Sequence, residues 1–452
     1  MKHPHHPINC ARLLLAAAGI FAGLSLRAEN PIIQTSFTAD PAPLVHDGVV
    51  YLYTSHDEDD APPGQGQFRM LDWKCYSSTD MVNWTDHGTV ASLKTFPWAV
   101  QDNDAWAPQV VERGGTFYLY APVSVAGSPK NVIAVATADN PLGPFKDALG
   151  HPLIDKANGY IDPTVFVDDD GRAYLFFGNP NLWYVTLNPD MISYSGGIVR
   201  EPTKPENYQE GPWFYKRGGH YYLAYASTCC PEGIGYAMSD HPTGPWTYRG
   251  YVVPPNRASS GDHPGIIDYK GHAYVFGFNY RLNFALTDKH HERRSVCVAR
   301  FDYNPDGTIP EQPWWGEAGV PQIGPLDPYR RVEAETICWS EGIRTAPSSQ
   351  GGMCAVAARE GAYIKVKGVD FGAGAKSFRA SVAAAEGGRI ELHLDGAAGP
   401  LVGTCVVPRA ADGQAWAIAS CPVSGAAGAH DLFLVFSGIR SAAIRVDWWQ
   451  FE

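Results

Sequence analysis

Beyond residue 28 the sequence lacks any stretch with the 3.6-residue apolar period of a long amphipathic helix. That excludes helix bundles and leaves strands to build the core. Positive charge is also scarce, with 35 Lys and Arg against 47 Asp and Glu in 452 residues. Three of those bases, Lys2, Arg12 and Arg27, fall in the first 28 residues. An acidic balance argues against nucleic acid and anionic membrane as partners. A neutral polysaccharide, held by aromatic and hydrogen-bonding groups, fits a chain that is 12% aromatic. No Cys-x-x-Cys pair with zinc-site spacing occurs. Long apolar runs are missing too, except Leu13–Leu24, which is preceded by Lys2 and Arg12, followed by Ala28, and short for a bilayer span. Residues 1–28 therefore read as a signal peptide, and the mature chain as secreted or periplasmic. In an exported chain, Cys338, Cys354, Cys405 and Cys421, clustered near the C-terminus, are possible disulfide partners.

A repeat organises the first 300 residues. Gly-x-x-Tyr-[Leu/Val] occurs at Gly48–Leu52, Gly115–Leu119, Gly171–Leu175, Gly219–Leu223 and Gly271–Val275. Each glycine precedes a run rich in aromatic and β-branched residues, the pattern of a tight turn entering a strand. Five hairpins at blade-sized spacing predict a five-bladed β-propeller over residues 29–310. Prolines 310, 313, 321, 325 and 328 then punctuate a linker or strap at 311–330. From Arg331 onward short alternating strands such as Arg389–Leu394 and Leu432–Phe436 predict a β-sandwich of jelly-roll type over 331–452. The fold class is thus all-β in two units.

Eleven or twelve residues before the repeated tyrosines stand Asp40, Trp106, Asp162, Glu210 and His263. Equivalent positions on the innermost strands of a propeller converge at one mouth of its channel, so three carboxylates, an indole and an imidazole are expected in one pocket. Proline follows each acid closely, in Asp40-Pro41, Asp162-Pro163 and Glu210-Gly211-Pro212, and fixes the backbone direction. Converging carboxylates raise one another's pKa, the property a general acid needs at neutral pH. The same acids could alternatively bind a metal, or bind sugar hydroxyls in a non-catalytic glycan-binding propeller. Cys229-Cys230 follows the strand that begins at Tyr222 and returns toward the face of Glu210. The pair is expected at the pocket rim as a vicinal disulfide, or else as two buried thiols.

Thr38-Ala39-Asp40-Pro41-Ala42-Pro43, Asn103-Asp104-Ala105-Trp106-Ala107-Pro108, Tyr160-Ile161-Asp162-Pro163-Thr164-Val165-Phe166 and Glu210-Gly211-Pro212-Trp213, in this order, resemble the signature segments of glycoside hydrolase family 43 over about residues 30–310. The resemblance implies hydrolysis with inversion, without an organic cofactor. It makes Asp40 the general base, Glu210 the general acid and Asp162 the group that tunes and orients the acid. It further implies that His263 helps hold a water-ligated calcium or sodium ion on the axis, that Arg294 contacts sugar hydroxyls, with Arg293 as the alternative, and that Trp106 walls the sugar ring. The implied substrates are plant polysaccharides: arabinoxylan or arabinan for an exo-acting α-L-arabinofuranosidase, xylo-oligosaccharide for a β-xylosidase. The chain is expected to act as a monomer.

Val332-Glu333-Ala334-Glu335 and Val446-Asp447-Trp448-Trp449-Gln450-Phe451 resemble the first and last strands of family 6 carbohydrate-binding modules. That likeness implies a structural calcium on Glu333, Glu335 and Asp447, and a sugar cleft at Trp416. Ala357 would then stand where the cleft's second aromatic is usual, and Arg445 where its asparagine is.

Overall fold

Every Gly-x-x-Tyr segment turns a hairpin. At Asp47-Gly48, Gly114-Gly115, Gly218-Gly219 and Lys270-Gly271 both central residues have positive φ, from 46° to 84°, as a two-residue turn of type I′ requires. Glycine at the second position relieves half of the steric cost. The computed structural model describes residues 29–59, 68–127, 131–155, 160–257, 259, 261–286, 292–410 and 415–452. The leader expected at residues 1–28 lies outside them. Among the described residues the only helical pieces are Arg281–Leu286 and a single 3-10 turn at Leu93–Thr95, so the all-β expectation holds. No described helix is long and apolar enough to cross a membrane.

Between Phe37 and Phe301 the described strands form five antiparallel sheets, each built from consecutive strands. Their leading strands are Phe37–His46, Gln109–Arg113, Thr164–Val167, Tyr208–Arg217 and Gly265–Tyr269. Each leading strand packs on the next in order, and the fifth packs on the first. Between the fourth and fifth the contact includes Trp213 Nε1 donating to Ile266 O at 2.9 Å. The repeated tyrosines fall on the second strand of each sheet, and Tyr222 and Tyr274 are buried.

The proline-rich segment 311–330 is a strap laid against this unit. Trp315 and Val320 are buried, Gln312 N donates to Val252 O and Ile323 N to Asp80 O. Gly277 leaves room for the Trp315 indole, since a Cβ there would lie 2.2 Å from Cζ2. From Val332 to Phe451 the strands form two further sheets, ordered through Met353–Ala357, Ile444–Phe451 and Ser377–Ala384 in one and through Tyr363–Asp370, Ala429–Ser437 and Gly388–Leu394 in the other. Ile364, Leu434 and Phe436 of one meet Phe378, Val446 and Trp449 of the other in a common apolar core. Truncating a residue such as Trp449 there costs about 3–5 kcal/mol. Cys338, Cys354, Cys405 and Cys421 are free buried thiols. The possible disulfides among them are not formed.

The two units are stitched together. The short strand Thr336–Ile337 adds to the outer edge of the first sheet, opposite Thr85 and Trp84. Beside it Thr345 Oγ1 donates to Asp86 Oδ2 at 2.6 Å, and Lys365 and Lys367 grip Glu29.

In the first sheet His56 anchors both ends of the segment between its second and third strands. Its Nδ1 lies 2.8 Å from Asp72 Oδ1 and its Nε2 3.4 Å from Asp59 Oδ2. Burial pushes the imidazole pKa down, but the carboxylates of Asp59 and Asp72 beside the ring outweigh it and hold the pKa at about 9, above the ordinary 6.5. A raised folded-state pKa contributes stability that is full below 6.5 and is lost as pH rises through 9. The Tm of the wild type should therefore fall between pH 6.5 and 9 by a few °C more than that of His56→Gln, an estimate on the order of 1–2 kcal/mol. Parallel curves in differential scanning calorimetry would contradict this.

Candidate active site

The starts of the inner strands carry an unusual backbone. Asp40 (φ 50°), Asp162 (φ 58°) and Gly211 (φ 55°) all lie in the left-handed region immediately before a proline. For the two aspartates this is a strained state, tolerated where the surroundings over-determine it. Register shifts at Ala39/Ala42 and Glu210/Trp213 accompany it. Such bulges re-aim side chains, and here Asp40, Asp162 and Glu210 turn toward one centre.

That centre is the ring of His263. Its Nδ1 is 3.4 Å from Asp40 Oδ1, and its Nε2 is 3.7 Å from both Asp162 Oδ2 and Glu210 Oε1. Gly211 lets the ring approach, since a Cβ there would sit 2.7 Å from His263 Cγ and Cδ2. Burial lowers the imidazolium pKa, yet Asp162 and Asp40, followed by Glu210, raise it to about 10. At neutral pH the ring is a cation among carboxylates.

Each acid has a different setting. Asp40 is buried and receives Ser55 Oγ at 2.6 Å and Arg294 Nη1 at 2.7 Å. Asp162 is buried and accepts Gly211 N at 3.0 Å. Burial, with His263 opposing and Glu210 and Asp40 assisting, pushes its carboxyl up to about 7. Glu210 is the most open of the three, its side chain 18% exposed against 3% for each aspartate. Its Oε2 accepts from Asn179 Nδ2, leaving Oε1 toward His263. Beneath the acids a small cavity is lined by Gln109, Trp213 and Pro264 together with Asp40, Asp162 and His263.

Around these acids the structure places residues that the sequence singled out, Arg294, Arg293 and Trp106, and others that it did not, Asp57, Phe68, Glu232 and Asp262. Arg294, expected on sugar hydroxyls, is buried and directs three groups, its backbone N, Nε and Nη2, to Asp57, while Nη1 reaches Asp40. It serves Asp40 more than the solvent side of the pocket. Asp57 closes the first Tyr-Leu-Tyr strand and is wholly buried. Arg293 stacks on Phe37 instead. Phe68 packs over the Arg294 guanidinium at 4.5 Å and edge-on to Trp106 at 5.7 Å, so Trp106 joins the site through it. Glu232 and Asp262, both buried acids, flank the His263 turn. Burial raises Asp262 to about 7, against hydrogen bonds from Phe278 N and Trp315 Nε1. Cys229 and Cys230 form a vicinal disulfide at an exposed turn.

In the second unit, Glu333 and Asp447 are bridged by Arg331, and Ser348 Oγ donates to Asp447 at 2.6 Å. Glu335 is buried with Oε2 lacking any partner. Burial, then Glu333, Asp86 and Asp447, push it up to about 9 against its own backbone hydrogen bond. An orphaned buried carboxylate oxygen beside two further acids is the donor chemistry of a calcium site. Trp416 donates Nε1 to Ser349 at 2.8 Å at the surface. Ala357 faces the core. Its neighbour Val356, opposite Arg445, is half-buried, as alternation along a strand requires.

Residues 28–309 match glycosyl hydrolases family 43, and residues 333–452 match the family 6 carbohydrate binding module. An arabinoxylan arabinofuranohydrolase from Bacillus subtilis is 34% identical over 94% of this chain and 92% of its own length. A xylosidase/arabinosidase from Bacteroides ovatus is 30% identical over 62% of this chain and 95% of its own. The crystal structure of a family 43 arabinoxylan arabinofuranohydrolase from Bacillus subtilis, in complex with cellotetraose, superposes with a TM-score of 0.83 at 34% identity, covering 94% of this chain and 97% of that one. The chain belongs to glycosyl hydrolases family 43 and is a glycoside hydrolase with a C-terminal module of the family 6 carbohydrate binding type.

Proposed function

We propose that this glycoside hydrolase is a secreted or periplasmic, exo-acting, inverting α-L-arabinofuranosidase that removes side chains from arabinoxylan or arabinan. In this reading the five sheets are the blades of a propeller spanning residues 29–310, and the two sheets after 331 are a β-sandwich. The observation that carries it is the unequal treatment of three acids around one imidazolium. Asp40 meets only donors, a hydroxyl and a guanidinium, which suits an acceptor of a proton from water. Glu210, the most exposed, is placed to hand a proton to a leaving oxygen. Asp162 lies in the same charge field and is tied to the backbone of Gly211, the residue next to Glu210. The His263 ring between Asp40 and Glu210 supports the wide separation, about 6.5–9.5 Å, through which an inverting enzyme admits water.

The sugar assignment rests on the arabinofuranohydrolase relative, matched along nearly its whole length. A β-xylosidase is the second reading, favoured by the relative that is named for both sugars. Trp106 and Phe68 would supply the apolar wall for either ring. A calcium or sodium ion on the axis, held through water by His263, would supply fixed positive charge in place of the ring proton. The ligand atoms of Asp162, Glu210 and His263 lie within 4.8 Å of one another. In the module, Glu335, Asp447 and Glu333 would hold calcium once Arg331 swings away, and Trp416 would offer sugar a single aromatic face.

Proton NMR of arabinoxylan during hydrolysis tests the reading. Free β-arabinose should appear first, whereas α-xylose released from chain ends would transfer the assignment to the xylosidase. Glu210→Gln and Asp40→Asn should each lower kcat by about 10²–10⁴-fold with KM within a few-fold. Retained turnover in either variant would remove that residue from its role. For the module, calcium added to chelated protein should raise Tm by a few °C in the wild type and not in Glu335→Gln. An equal response in both would show that calcium acts elsewhere.

A further inference from the structure

Glu232 opens the third strand of the fourth sheet, Glu232–Ser239, two residues after the Cys229–Cys230 disulfide. It is 2% exposed, and no part of the acid–base scheme above employs it. Its Oε2 accepts the backbone N–H groups of Gly261 and, at 3.1 Å, of Asp262. These two residues lead directly into His263. The turn passes between these charged groups, for a Cβ on Gly261 would lie in ordinary contact with Glu210 Oε1 at 3.7 Å, Arg294 Nη1 at 3.7 Å and Glu232 Oε2 at 4.0 Å. A carboxylate oxygen of Glu232 and both cysteine sulfurs lie within 4.8 Å of one another. The disulfide, itself exposed, thus covers the acid on the solvent side. Burial, followed by the charge of Glu210, pushes the Glu232 carboxyl up to about 8.

We infer that Glu232 is a positioning residue for proton donation: by clamping the backbone of Gly261 and Asp262 it sets the His263 ring against Glu210 and Asp162. The inference rests on the acid–base roles proposed above. A single acceptor oxygen fixes two consecutive N–H groups, so the ring one residue further on has little freedom to turn. Losing the acceptor leaves two buried donors unpaired and lets the turn relax, and small displacements at a reacting centre are costly in rate.

The test compares Glu232→Gln, which keeps an acceptor oxygen, with Glu232→Met, which keeps the volume and loses both oxygens. Each is assayed on arabinoxylan and on 4-nitrophenyl α-L-arabinofuranoside, whose leaving group departs with little need for a proton. Glu232→Met should lose about 10²-fold in kcat on arabinoxylan with KM within threefold, and less than about fivefold on the aryl glycoside. Glu232→Gln should recover to within about threefold of wild type on both. If Glu232→Met does not reach the wild-type circular dichroism and Tm, Glu232→Asp, whose oxygen falls short of the turn, takes its place with the same expectation. Equal losses on both substrates, no loss on either, or a Gln variant as poor as the Met variant would overturn the inference while the acid–base reading stands. A wild-type protein that releases no arabinose from either substrate would overturn both.

Discussion

The arrangement depends on keeping negative charge in a place where burial resists it. Asp40, Asp162 and Asp57 are almost wholly buried, and Glu210 partly so. Burying an unpaired carboxylate costs several kcal/mol. Two cations make the cluster tolerable: His263 at the centre and Arg294 at the side, joining Asp40 to Asp57. The imidazolium faces all three pocket acids, so removing it would leave three charges to repel one another. The distribution of protons among the group is a property of the set, not of any one member.

Strain in the backbone aims these charges. A residue with positive φ before proline is an uncommon conformation, and it recurs at Asp40, Asp162 and Gly211 on three different sheets. These three sheets share the device because each begins in the same way, with a leading strand packed on the leading strand of its neighbour. The pocket acids and His263 are thus assembled from equivalent positions, while their supports, Ser55, Asp57, Asn179, Glu232 and Asp262, come from positions that differ from sheet to sheet.

That contrast explains what could be read in advance. The Gly-x-x-Tyr repeat was legible because a type I′ hairpin demands positive φ, and counting back from the tyrosine reached Asp40, Asp162, Glu210 and His263. Asp57 and Glu232 lie at the far ends of second and third strands, and nothing in their local pattern says which neighbour they will meet. Arg294 was noticed, but its partners were not, since Asp57 is 237 positions away. In the second unit Ala357 was reached through the resemblance, because an alanine-rich strand, Met353–Ala357, carries too little polar alternation to show which of its residues face outward. The two-residue strand Thr336–Ile337 gave no periodic signal, so the joining of the two units could not be foreseen.

That short strand has a consequence for how such proteins can be assembled from parts. By occupying the outer edge of the first sheet, it hides a row of backbone donors and acceptors that would otherwise invite another chain to pair. The catalytic unit therefore does not end where its own repeat ends. A recombination that exchanged the C-terminal module at the proline-rich strap would leave that edge bare, whereas one made beyond Ile337 would carry the cover along.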